Sequence, residues 1–553
     1  MIYSPHTPVS ESTRLFSRDS IFRQILLSFL SGLLMGLATA PVAAFYFAWF
    51  ALIPLWLLTF KTKKSAHYNS QKITFKSIVF HQKTLIALAW GLGYHGLALF
   101  WITGIHPMTW MGVPWLASLA IAIFCWLFIT LWGAILVSVW SIVIRLLANL
   151  KSYNRYFKYP LIESLFKVLW GVAIWCLLES IWTQGPLWWT SLSYTQSPNN
   201  LAILQLSKLS GFSLITGAIV ATNGLIAEGI ILFKENRQYI NQSILLIIIS
   251  IVFVFSLHII GFYQYNKPLS YAKDDALKVG VIQGNIPNTI KLYAGGLRKA
   301  IEGYTKGYKI LADQRVDLIL TPETALPFDW NYIVTNSSIY SEILKQKVPI
   351  ILGAFGSKNS SYTNSLFSIT KEGKILSRFD KVKLVPLGEY IPFENILGKI
   401  IQRLSPLDSH LAAGNVDQIF QTPFGQAIVG ICYESAFSEH FRRQAKKGGE
   451  FMITASNNAH YSEAMPAQHH AQDIIRAIET DRWMARATNT GYSAIISPRG
   501  QTLWISKINK YQLHQGTIYR RNTQTLYVKW GDWLTKVLII LGSILLVFKR
   551  RKD

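Results

Sequence analysis

Three residues of types used in covalent catalysis lie far apart in this chain, two of them directly after apolar runs. Glu323 follows a run that ends at Leu320, Lys381 lies in a mixed polar and apolar segment, and Cys432 follows the run Ala427–Ile431. A cysteine nucleophile needs a base that accepts its proton, or a nearby cation that lowers the pKa of the thiol. A glutamate with a pKa raised by desolvation can be that base, and a lysine can stabilise the thiolate and the oxyanion of a tetrahedral intermediate. The three residue types therefore fit nucleophilic catalysis.

Each of these residues also has a structural interpretation. A free cysteine is most often a small buried apolar residue. Glu323 could cap a helix or turn, Lys381 could be a solvated charge in a hairpin, and Glu434 could pair with an arginine. Taken singly, none of these residues decides between the two interpretations, so the rest of the chain must.

The composition indicates a membrane protein with one large domain outside the bilayer. Of 553 residues, 51% are hydrophobic, and they cluster before about residue 265 and again near the C-terminus. The net charge of +25 would suit a nucleic-acid-binding protein, but many lysines and arginines flank apolar runs. That placement is typical of membrane orientation and argues against a nucleic-acid partner. Of three cysteines, Cys125 and Cys176 lie inside apolar runs, so no disulfide framework is expected.

Eight apolar runs are candidates for membrane helices, each near or beyond the roughly 20 residues that cross a bilayer. Pro41 directly follows the first run, which argues against a cleaved signal peptide there. The runs are Ile25–Ala40, Val42–Phe60, Leu85–Ile105, Trp115–Ile144, Val168–Trp182, Ile203–Phe233, Ser243–Tyr263 and Trp533–Phe548.

The charges of the connecting loops alternate along the chain. Loops 61–83, 145–167 and 234–242 and the tail 549–552 are basic, whereas loops 106–114 and 184–200 contain no charged residue. Basic loops stay in the cytoplasm, which places both termini there. We therefore expect a cytoplasmic segment 1–20, a membrane domain 21–265 with seven helices, a periplasmic domain 266–531, and a final helix with a basic cytoplasmic tail, 532–553.

Segment 266–531 has the pattern of one α/β domain with a covered sheet. Apolar runs with strand character recur along it, and helical patterns at Gly296–Ala312 and Ala471–Ala487 lie between some of them. The stretch 387–423 is rich in proline, glycine and polar residues, and it is expected to form long loops that act as lids or binding arms. The predicted strands are Leu277–Ile282, Val316–Leu320, Val348–Leu352, Ser365–Ile369, Ala427–Ile431, Phe451–Thr454 and Ser493–Ile496.

Three motifs around the candidate residues, in this order, resemble the carbon–nitrogen hydrolase (nitrilase) superfamily. They are Pro322-Glu323-Thr324-Ala325, Asp380-Lys381-x-x-Leu-Val-Pro-x-Gly-Glu389-Tyr390-x-Pro and Ile431-Cys432-Tyr433-Glu434. With membrane spans on both sides, the resemblance narrows to the membrane-embedded branch, the apolipoprotein N-acyltransferases. It covers nearly the whole chain, including Gln283–Pro287, Ser193–Gln196 and Arg486–Gly491. The resemblance implies a nitrilase-like αββα sandwich outside the cytoplasm.

The resemblance also implies a role for each matched position. Glu323 would be the general base, Lys381 the oxyanion-stabilising lysine and Cys432 the nucleophile. The supporting positions are two carboxylates that orient Lys381 and shape the pocket, Glu389 and Glu434, two pocket aromatics, Tyr390 and Tyr433, and a substrate-side asparagine, Asn364. No cofactor is implied, and the spacing of His460, His469 and His470 does not favour a metal site.

The implied reaction is a ping-pong acyl transfer between two lipids at a bacterial inner membrane. Cys432 would attack an acyl ester of a phospholipid, usually phosphatidylethanolamine, and a lysophospholipid would leave a thioester-linked acyl-enzyme. The α-amine of the diacylglyceryl-cysteine of an apolipoprotein would then take the acyl chain. Exposing an acyl chain to water costs about 0.8 kcal/mol per CH₂, so spans that hold the site at the bilayer avoid that cost. We expect a monomer.

Two positions depart from the family pattern where substrate or loop contacts are expected. Leu292 stands in place of a usual tryptophan, and Asn457-Asn458-Ala459-His460-Tyr461 stands in place of Asn-Asp-Ala-Trp-Phe. A further carboxylate, Glu179, lies inside the fifth apolar run. It is either a functional residue or a structural one satisfied by a helix neighbour.

Two other functions are compatible with parts of the sequence. A membrane-anchored amidase or nitrilase could use the same three residues, because water can replace the amine in the second step. Eight predicted spans favour lipid substrates over that alternative. A transporter or receptor with a binding-only outer domain is the second alternative, and the intact Glu323, Lys381 and Cys432 argue against it.

Overall fold

The computed structural model describes residues 12–60, 81–148, 160–359, 361–391, 410–459 and 461–550. In these ranges the chain forms a helical half followed by an α/β domain and a last apolar helix. Much of the basic loops 61–83 and 145–167, part of the stretch 387–423, and His460 lie outside the described residues. The helices of the helical half are Ser12–Leu37, Ile53–Phe60, Gln82–Ala98, Trp115–Ala148, Pro160–Trp182, Leu201–Leu204, Ser207–Ser210, Phe212–Glu235 and Ile240–Asn266, and the last apolar helix is Trp533–Arg550.

Five helices in the described ranges are long and apolar enough to cross a membrane. They coincide with the first, fourth, fifth, sixth and seventh predicted runs. The second run is instead divided into a 3₁₀ turn, Phe45–Trp49, and a helix, Ile53–Phe60. Pro54 lies in the first turn of that helix, where a missing N–H is tolerated, and it could not continue a helix from the preceding turn.

The sixth predicted run is also divided. Its first residues form two short helices, and the long helix Phe212–Glu235 begins only after Gly211. Gly211 has a φ of +70°, and a Cβ there would lie 2.5 Å from the ring of Tyr527. This position therefore combines a left-handed backbone with a close approach from the C-terminal segment, and glycine allows both.

Glu179 has a structural role in the helical half. Its Oε1 accepts hydrogen bonds from the indole of Trp175 at 3.2 Å and the backbone N–H of Leu192 at 3.0 Å. Its Oε2 accepts from the hydroxyls of Ser191 at 2.7 Å and Thr216 at 2.8 Å. A buried carboxylate needs such partners, and here it fixes the start of the segment Leu192–Gln196.

The α/β domain contains two β-sheets. Its strands are β1 Ala276–Gln283, β2 Leu318–Leu320, β3 Leu326–Asp329, β4 Ile350–Lys358, β5 Ser361–Ile369, β6 Ile375–Asp380, β7 Phe420–Thr422, β8 Gly425–Ile431, β9 Phe451–Ser456, β10 Met484–Thr488, β11 Ala494–Ile496, β12 Thr502–Ile505 and β13 Gln512–Tyr519. The first sheet has the order β13-β1-β2-β4-β5-β6, with β3 beside β4, and the second has the order β12-β11-β10-β9-β8-β7. Strands β1, β2 and β4 are parallel, and so are β8, β9 and β10.

The two sheets face each other across one apolar layer. Val281 and Leu320 of the first sheet belong to the same buried cluster as Val429 and Ile453 of the second. The outer face of the first sheet is covered by helices Ala294–Asp313, Trp330–Asn336 and Ser338–Gln346, and that of the second by Ser438–Lys446 and Ala464–Thr480. The layers follow the order helix, sheet, sheet, helix, and the predicted α/β sandwich is confirmed.

The predicted helix Ala471–Ala487 is wrong at both ends. The helix runs from Ala464 to Thr480, and Met484–Thr488 is strand β10. Asp481 ends the helix with a φ of +56°, and the chain then enters the sheet parallel to β9. The alanine-rich sequence concealed this boundary, because alanine suits a helix and also fits a crowded central strand.

Helix Ala464–Thr480, here called the bridging helix, joins the α/β domain to the helical half. The amide oxygen of Gln468 accepts hydrogen bonds from the indoles of Trp101 at 3.0 Å and Trp189 at 2.7 Å. The amide nitrogen donates to the carbonyl oxygens of Ala40 at 3.0 Å and Ala98 at 2.8 Å. One buried amide therefore satisfies groups from three separate segments of the helical half.

We expect Gln468→Leu to destabilise the folded protein. The substitution leaves two indole N–H groups and two carbonyl groups buried without partners, and each orphaned group costs about 1–3 kcal/mol. Thermal unfolding of the purified protein in detergent should show a midpoint lowered by several degrees. The matched control is Gln501→Leu, which removes only an exposed hydrogen bond to Tyr265 and should leave the midpoint unchanged. Equal midpoints for the two variants would contradict the role assigned to Gln468.

Candidate active site

The three candidate residues lie where strands end. Glu323 follows β2, Lys381 directly follows β6, and Cys432 directly follows β8. β2 and β8 lie in different sheets that face each other, and the pocket shared by Glu323 and Cys432 shows that their carboxyl ends meet at one edge of the sandwich. All three side chains line one pocket there, together with Asn364 and Glu389. The structure thus brings together five of the eight site residues named from the sequence in one pocket.

Lys381 lies between two carboxylates. Its Nζ donates to Oε1 of Glu323 and to Oε1 of Glu389, at 2.9 Å in both cases. Only 1% of Lys381 is exposed, so both ion pairs are shielded from water. A buried ammonium held by two anions has little freedom to move, and its remaining N–H can point into the pocket.

Glu323 is held by further donors besides the lysine. The amide of Asn364 donates to Oε1 of Glu323 at 2.7 Å and also to Oε1 of Glu389 at 3.0 Å. The backbone N–H of Asn457 donates to Oε2 of Glu323 at 2.8 Å. Oε1 therefore accepts two hydrogen bonds, whereas Oε2 accepts one and retains a lone pair for a proton from the pocket.

Cys432 has an unusual backbone conformation that the surroundings maintain. Its φ is +52°, in the left-handed region that costs a non-glycine residue on the order of 1–3 kcal/mol. The Nε2 of His469, on the bridging helix, contacts the carbonyl oxygen of Cys432 at 2.9 Å. Since a carbonyl only accepts, Nε2 carries the proton, and Nδ1 accepts from Asn458 at 3.1 Å. His469 thus holds the turn that presents the thiol.

Glu434 supports the backbone on both sides of the pocket. Its Oε1 accepts from the N–H groups of Val382 at 2.6 Å and Lys383 at 3.1 Å, and its Oε2 accepts from Ile431 at 2.7 Å. It therefore ties the segment after Lys381 to the strand before the cysteine. We had expected Glu434 to orient the lysine, and the structure places its contacts on the neighbouring backbone rather than on the ammonium.

Burial keeps the cysteine protonated in the resting site. Removal from water raises the pKa of the Cys432 thiol far above its ordinary value, and the negative charge of Glu323 raises it further. The charge of Lys381 opposes this shift without cancelling it. A nucleophilic role for this thiol would therefore require a base, because the neighbouring cation alone does not produce a thiolate.

The ion pairs set the charges of the other two groups. Burial alone would raise the pKa of Glu323, but Lys381, Lys291 and Asn364 together lower it below its ordinary value. The sequence suggests a Glu323 pKa raised by desolvation, whereas in the structure the ion pairs lower it, so the Glu323 carboxylate is ionised at neutral pH. For Lys381, burial would lower the pKa, but Glu323 and Glu389 raise it well above its ordinary value. The pair is a carboxylate and an ammonium.

The two predicted aromatics differ in their contacts. The hydroxyl of Tyr433 donates to the carbonyl oxygen of Pro186 at 2.6 Å and accepts from the N–H of Trp188 at 3.0 Å. Tyr433 thus ties the cysteine turn to the helical half. Tyr390 is half-buried in the loop after Lys381, where its carbonyl oxygen accepts from the N–H of Leu387 at 2.8 Å.

Part of the pocket wall comes from the helical half and from the positions that depart from the family pattern. Trp110, in the loop 106–114, lines the pocket, and so do Leu292 and Tyr461. Tyr461 packs edge-on against Trp101, with the ring centroids 4.9 Å apart. The two departures among the described residues therefore lie beside the reacting groups and can affect which substrates fit.

Sequence reasoning missed three contributors to the site. Asn457 acts through its backbone N–H, which every residue type except proline supplies, and His469 reaches the site from a distant helix. Lys291 lies beside the recognised departure at Leu292 and lines the pocket with its ammonium buried. A lysine that follows a short polar segment resembles an ordinary surface residue, so only the fold identifies it.

Comparisons with known proteins identify the family of this chain. A family model described as the apolipoprotein N-acyltransferase N-terminal domain matches residues 31–225, and the carbon–nitrogen hydrolase model matches residues 278–524. Relatives described as apolipoprotein N-acyltransferase include one from Nostoc sp., 53% identical over 93% of this chain and 98% of its own, and one from Synechocystis sp., 49% identical over 92% and 98%. Among solved structures, an amidase from Nesterenkonia sp. is 15% identical and covers 47% of this chain and 95% of its own, with a TM-score of 0.34. The relatives show that this chain belongs to the apolipoprotein N-acyltransferase family.

Proposed function

We propose that this protein transfers a fatty acyl chain from a membrane phospholipid, through a thioester on Cys432, to the α-amine of the diacylglyceryl-cysteine of an apolipoprotein. Family membership makes the protein a membrane-embedded acyltransferase and favours this reaction over amide hydrolysis. The observation that carries the mechanism is the shared pocket of Cys432, Glu323 and Lys381. In this proposal they are the nucleophile, the base and the oxyanion-stabilising group.

In the first half-reaction, Sγ of Cys432 attacks the carbonyl carbon of an acyl ester. Oε2 of Glu323 takes the thiol proton. The raised pKa of the thiol makes a base necessary, and the ionised carboxylate of Glu323 can accept the proton. The ammonium of Lys381 stabilises the oxyanion of the tetrahedral intermediate. The ester C–O bond then breaks, Glu323 returns the proton to the leaving glycerol oxygen, and a lysophospholipid departs. Phosphatidylethanolamine is the expected donor.

In the second half-reaction, the neutral α-amine of the acceptor attacks the thioester carbonyl. Glu323 removes a proton from the amine nitrogen, and the oxyanion again forms beside Lys381. The C–S bond breaks, and the proton on Glu323 passes to the thiolate. The cycle ends with an amide on the lipoprotein, a neutral thiol and an ionised glutamate, so the resting site is restored.

Contacts of the outer loops support the predicted topology. Both charge-free loops, 106–114 and 184–200, contact the α/β domain. The hydroxyl of Tyr293 donates to the carbonyl oxygen of Trp110 at 3.3 Å, and the N–H of Trp188 donates to Tyr433. These loops and the α/β domain lie on the same side, which agrees with a periplasmic α/β domain and cytoplasmic termini. We also propose that the protein acts as a monomer, since the three proposed catalytic residues come from one chain.

We expect Cys432→Ala to abolish acyl-enzyme formation and acyl transfer. Removal of a covalent nucleophile lowers turnover by about 10³-fold or more. Mass spectrometry of the protein incubated with labelled phosphatidylethanolamine should show a fatty acyl adduct on Cys432 that hydroxylamine removes. The control is Cys125→Ser, in the helical half, which should keep the adduct. An adduct that persists in Cys432→Ala would assign the thioester to another residue.

The same experiment separates acyl transfer from the amidase alternative. Addition of a diacylated lipopeptide should discharge the acyl-enzyme and give a triacylated product. Release of free fatty acid alone, at the same rate with and without lipopeptide, would favour hydrolysis.

We expect Glu323→Gln to slow acyl-enzyme formation by about 10²–10⁴-fold, the usual contribution of a general base. In the unmodified protein the base must be ionised, and its pKa is held below the ordinary value of 4.5. The rate should therefore stay constant as the pH falls from neutral and decrease only below about 4.5. Single-turnover rates measured against pH test this expectation. Glu302→Gln, on an exposed helix, is the control, and an acidic limb well above 4.5 would contradict the assignment.

A further inference from the structure

Lys291 is a second buried lysine in the pocket, and the proposed catalytic cycle does not use it. It ends the short helix Asn288–Lys291, is 5% exposed, and lines the pocket with Cys432 and Glu323. Within the described ranges its Nζ donates a single hydrogen bond, to the backbone carbonyl oxygen of Glu323 at 3.3 Å. By contrast, Lys381 contacts two carboxylates at 2.9 Å. Two of the three donors of the Lys291 ammonium are therefore available to a ligand.

A second unsatisfied donor lies on the same turn of helix. Asn288 is 7% exposed and lines the same pocket. Its Oδ1 accepts from the amide of Asn457 at 3.0 Å, which fixes the orientation of the group. Its Nδ2 is buried with no hydrogen-bond partner in the described part of the chain. Residues three apart share a helix face, so the free donors of Asn288 and Lys291 can act on one ligand.

Such an arrangement is costly unless an anion completes it. Burial lowers the pKa of Lys291 to about 8, while the nearby charge of Glu323 acts to raise it, so most of the ammonium is charged at neutral pH. A buried cation and a buried amide N–H each lose free energy when they lack partners. A ligand that accepts hydrogen bonds and carries negative charge would satisfy both groups.

The two substrates of the proposed reaction differ in the charge that they carry near the reacting group. A glycerophospholipid donor carries a phosphodiester anion a few bonds from its acyl esters, whereas the reacting end of the acceptor carries an amine. We propose that Lys291 and Asn288 form a subsite for the phosphodiester of the donor, which selects phospholipids over uncharged acyl esters. This inference rests on the proposed function, because it assumes that a phospholipid supplies the acyl chain. In this scheme Lys291 binds the donor, and Lys381 remains the residue that stabilises the oxyanion of the tetrahedral intermediate.

The test compares two donors that share the same ester and leaving oxygen. Full-length protein in detergent is incubated with dipalmitoyl phosphatidylethanolamine or with 1,2-dipalmitoylglycerol, and acyl-enzyme formation on Cys432 is followed by mass spectrometry. Lys291→Met should lower kcat/KM for the phospholipid by about tenfold or more, as expected for loss of one charge-assisted hydrogen bond. Loss of the Lys291 charge also acts on Glu323 and lowers both rates, so the readout is the ratio of the two donors. The loss with dipalmitoylglycerol, and the loss in discharge of the preformed acyl-enzyme by a diacylated lipopeptide, should be several-fold smaller than the loss with the phospholipid.

Two further variants act as controls. Lys291→Arg keeps the charge and should retain most of the preference for the phospholipid. Lys383→Met removes a lysine whose ammonium lies 4.7 Å from the ring centroid of Phe437, and it should leave the preference intact. If Lys291→Met does not accumulate as folded protein, Asn288→Asp provides the second test. The added negative charge should weaken use of the phospholipid and spare dipalmitoylglycerol.

The outcomes separate this inference from the proposed function. Equal losses with both donors would show that Lys291 supports the chemistry or the fold, and would overturn the subsite. An unchanged preference in Lys291→Met would overturn it as well. If the unmodified protein forms no acyl-enzyme from phosphatidylethanolamine, the proposed function fails first and the subsite fails with it.

Discussion

The active site depends on the ion pairs of Lys381 with Glu323 and Glu389. The three groups are positioned by β2, by the end of β6 and by the loop that follows β6, so the strands of the first sheet must be in register before these ion pairs can form. Breaking a buried pair by removing one partner is strongly unfavourable, because it leaves an uncompensated charge. The same pairs keep Glu323 ionised and Lys381 protonated, and these are the forms that the proposed chemistry requires. The ion pairs of Lys381 therefore stabilise the folded site and also set the protonation states of its charged residues.

Among the described residues, the charged side chains that line the pocket around Lys381 are equal in number for each sign. The charged lining residues in the described ranges are two lysines, Lys291 and Lys381, and two glutamates, Glu323 and Glu389. Because Cys432 is a neutral thiol at rest, the proposed transfer of its proton to Glu323 would create a thiolate beside Lys381 without changing the net charge of the pocket. A step that only moves charge within a buried site avoids most of the desolvation that a new charge would cost.

The sequence predicted the residues of the site better than their contacts. Glu323 and Cys432 follow apolar runs that form strands, but the motifs that resemble the carbon–nitrogen hydrolase superfamily, rather than periodicity, singled them out. Asn457 contributes a backbone N–H, and its side chain gives no indication of that contact. Glu434 was expected to orient the lysine, yet it binds the backbone on either side, because a buried carboxylate takes the nearest unpaired N–H groups.

The helical half shows the same limit of sequence reasoning. Hydropathy identified the apolar runs, but it did not show that Pro54 begins a new helix in the second run or that Gly211 interrupts the sixth. Both breaks arise from single residues whose backbone properties matter more than their hydrophobicity. The position of Gly211 also depends on Tyr527, more than three hundred residues later in the chain, and no local pattern contains that information.

The helical half also bears on how the proposed acyl-enzyme would transfer its chain instead of losing it to water. The same three residues would hydrolyse a thioester if water reached it as readily as the amine does. Trp110, Leu292 and Tyr461 line the pocket beside the thiol, and the first of these comes from the helical half. Apolar and aromatic walls around a buried thioester favour a lipid acceptor, because the acceptor brings its own apolar surface and displaces water as it enters. The choice between transfer and hydrolysis therefore depends on the surfaces around the triad, since the triad itself supports both reactions.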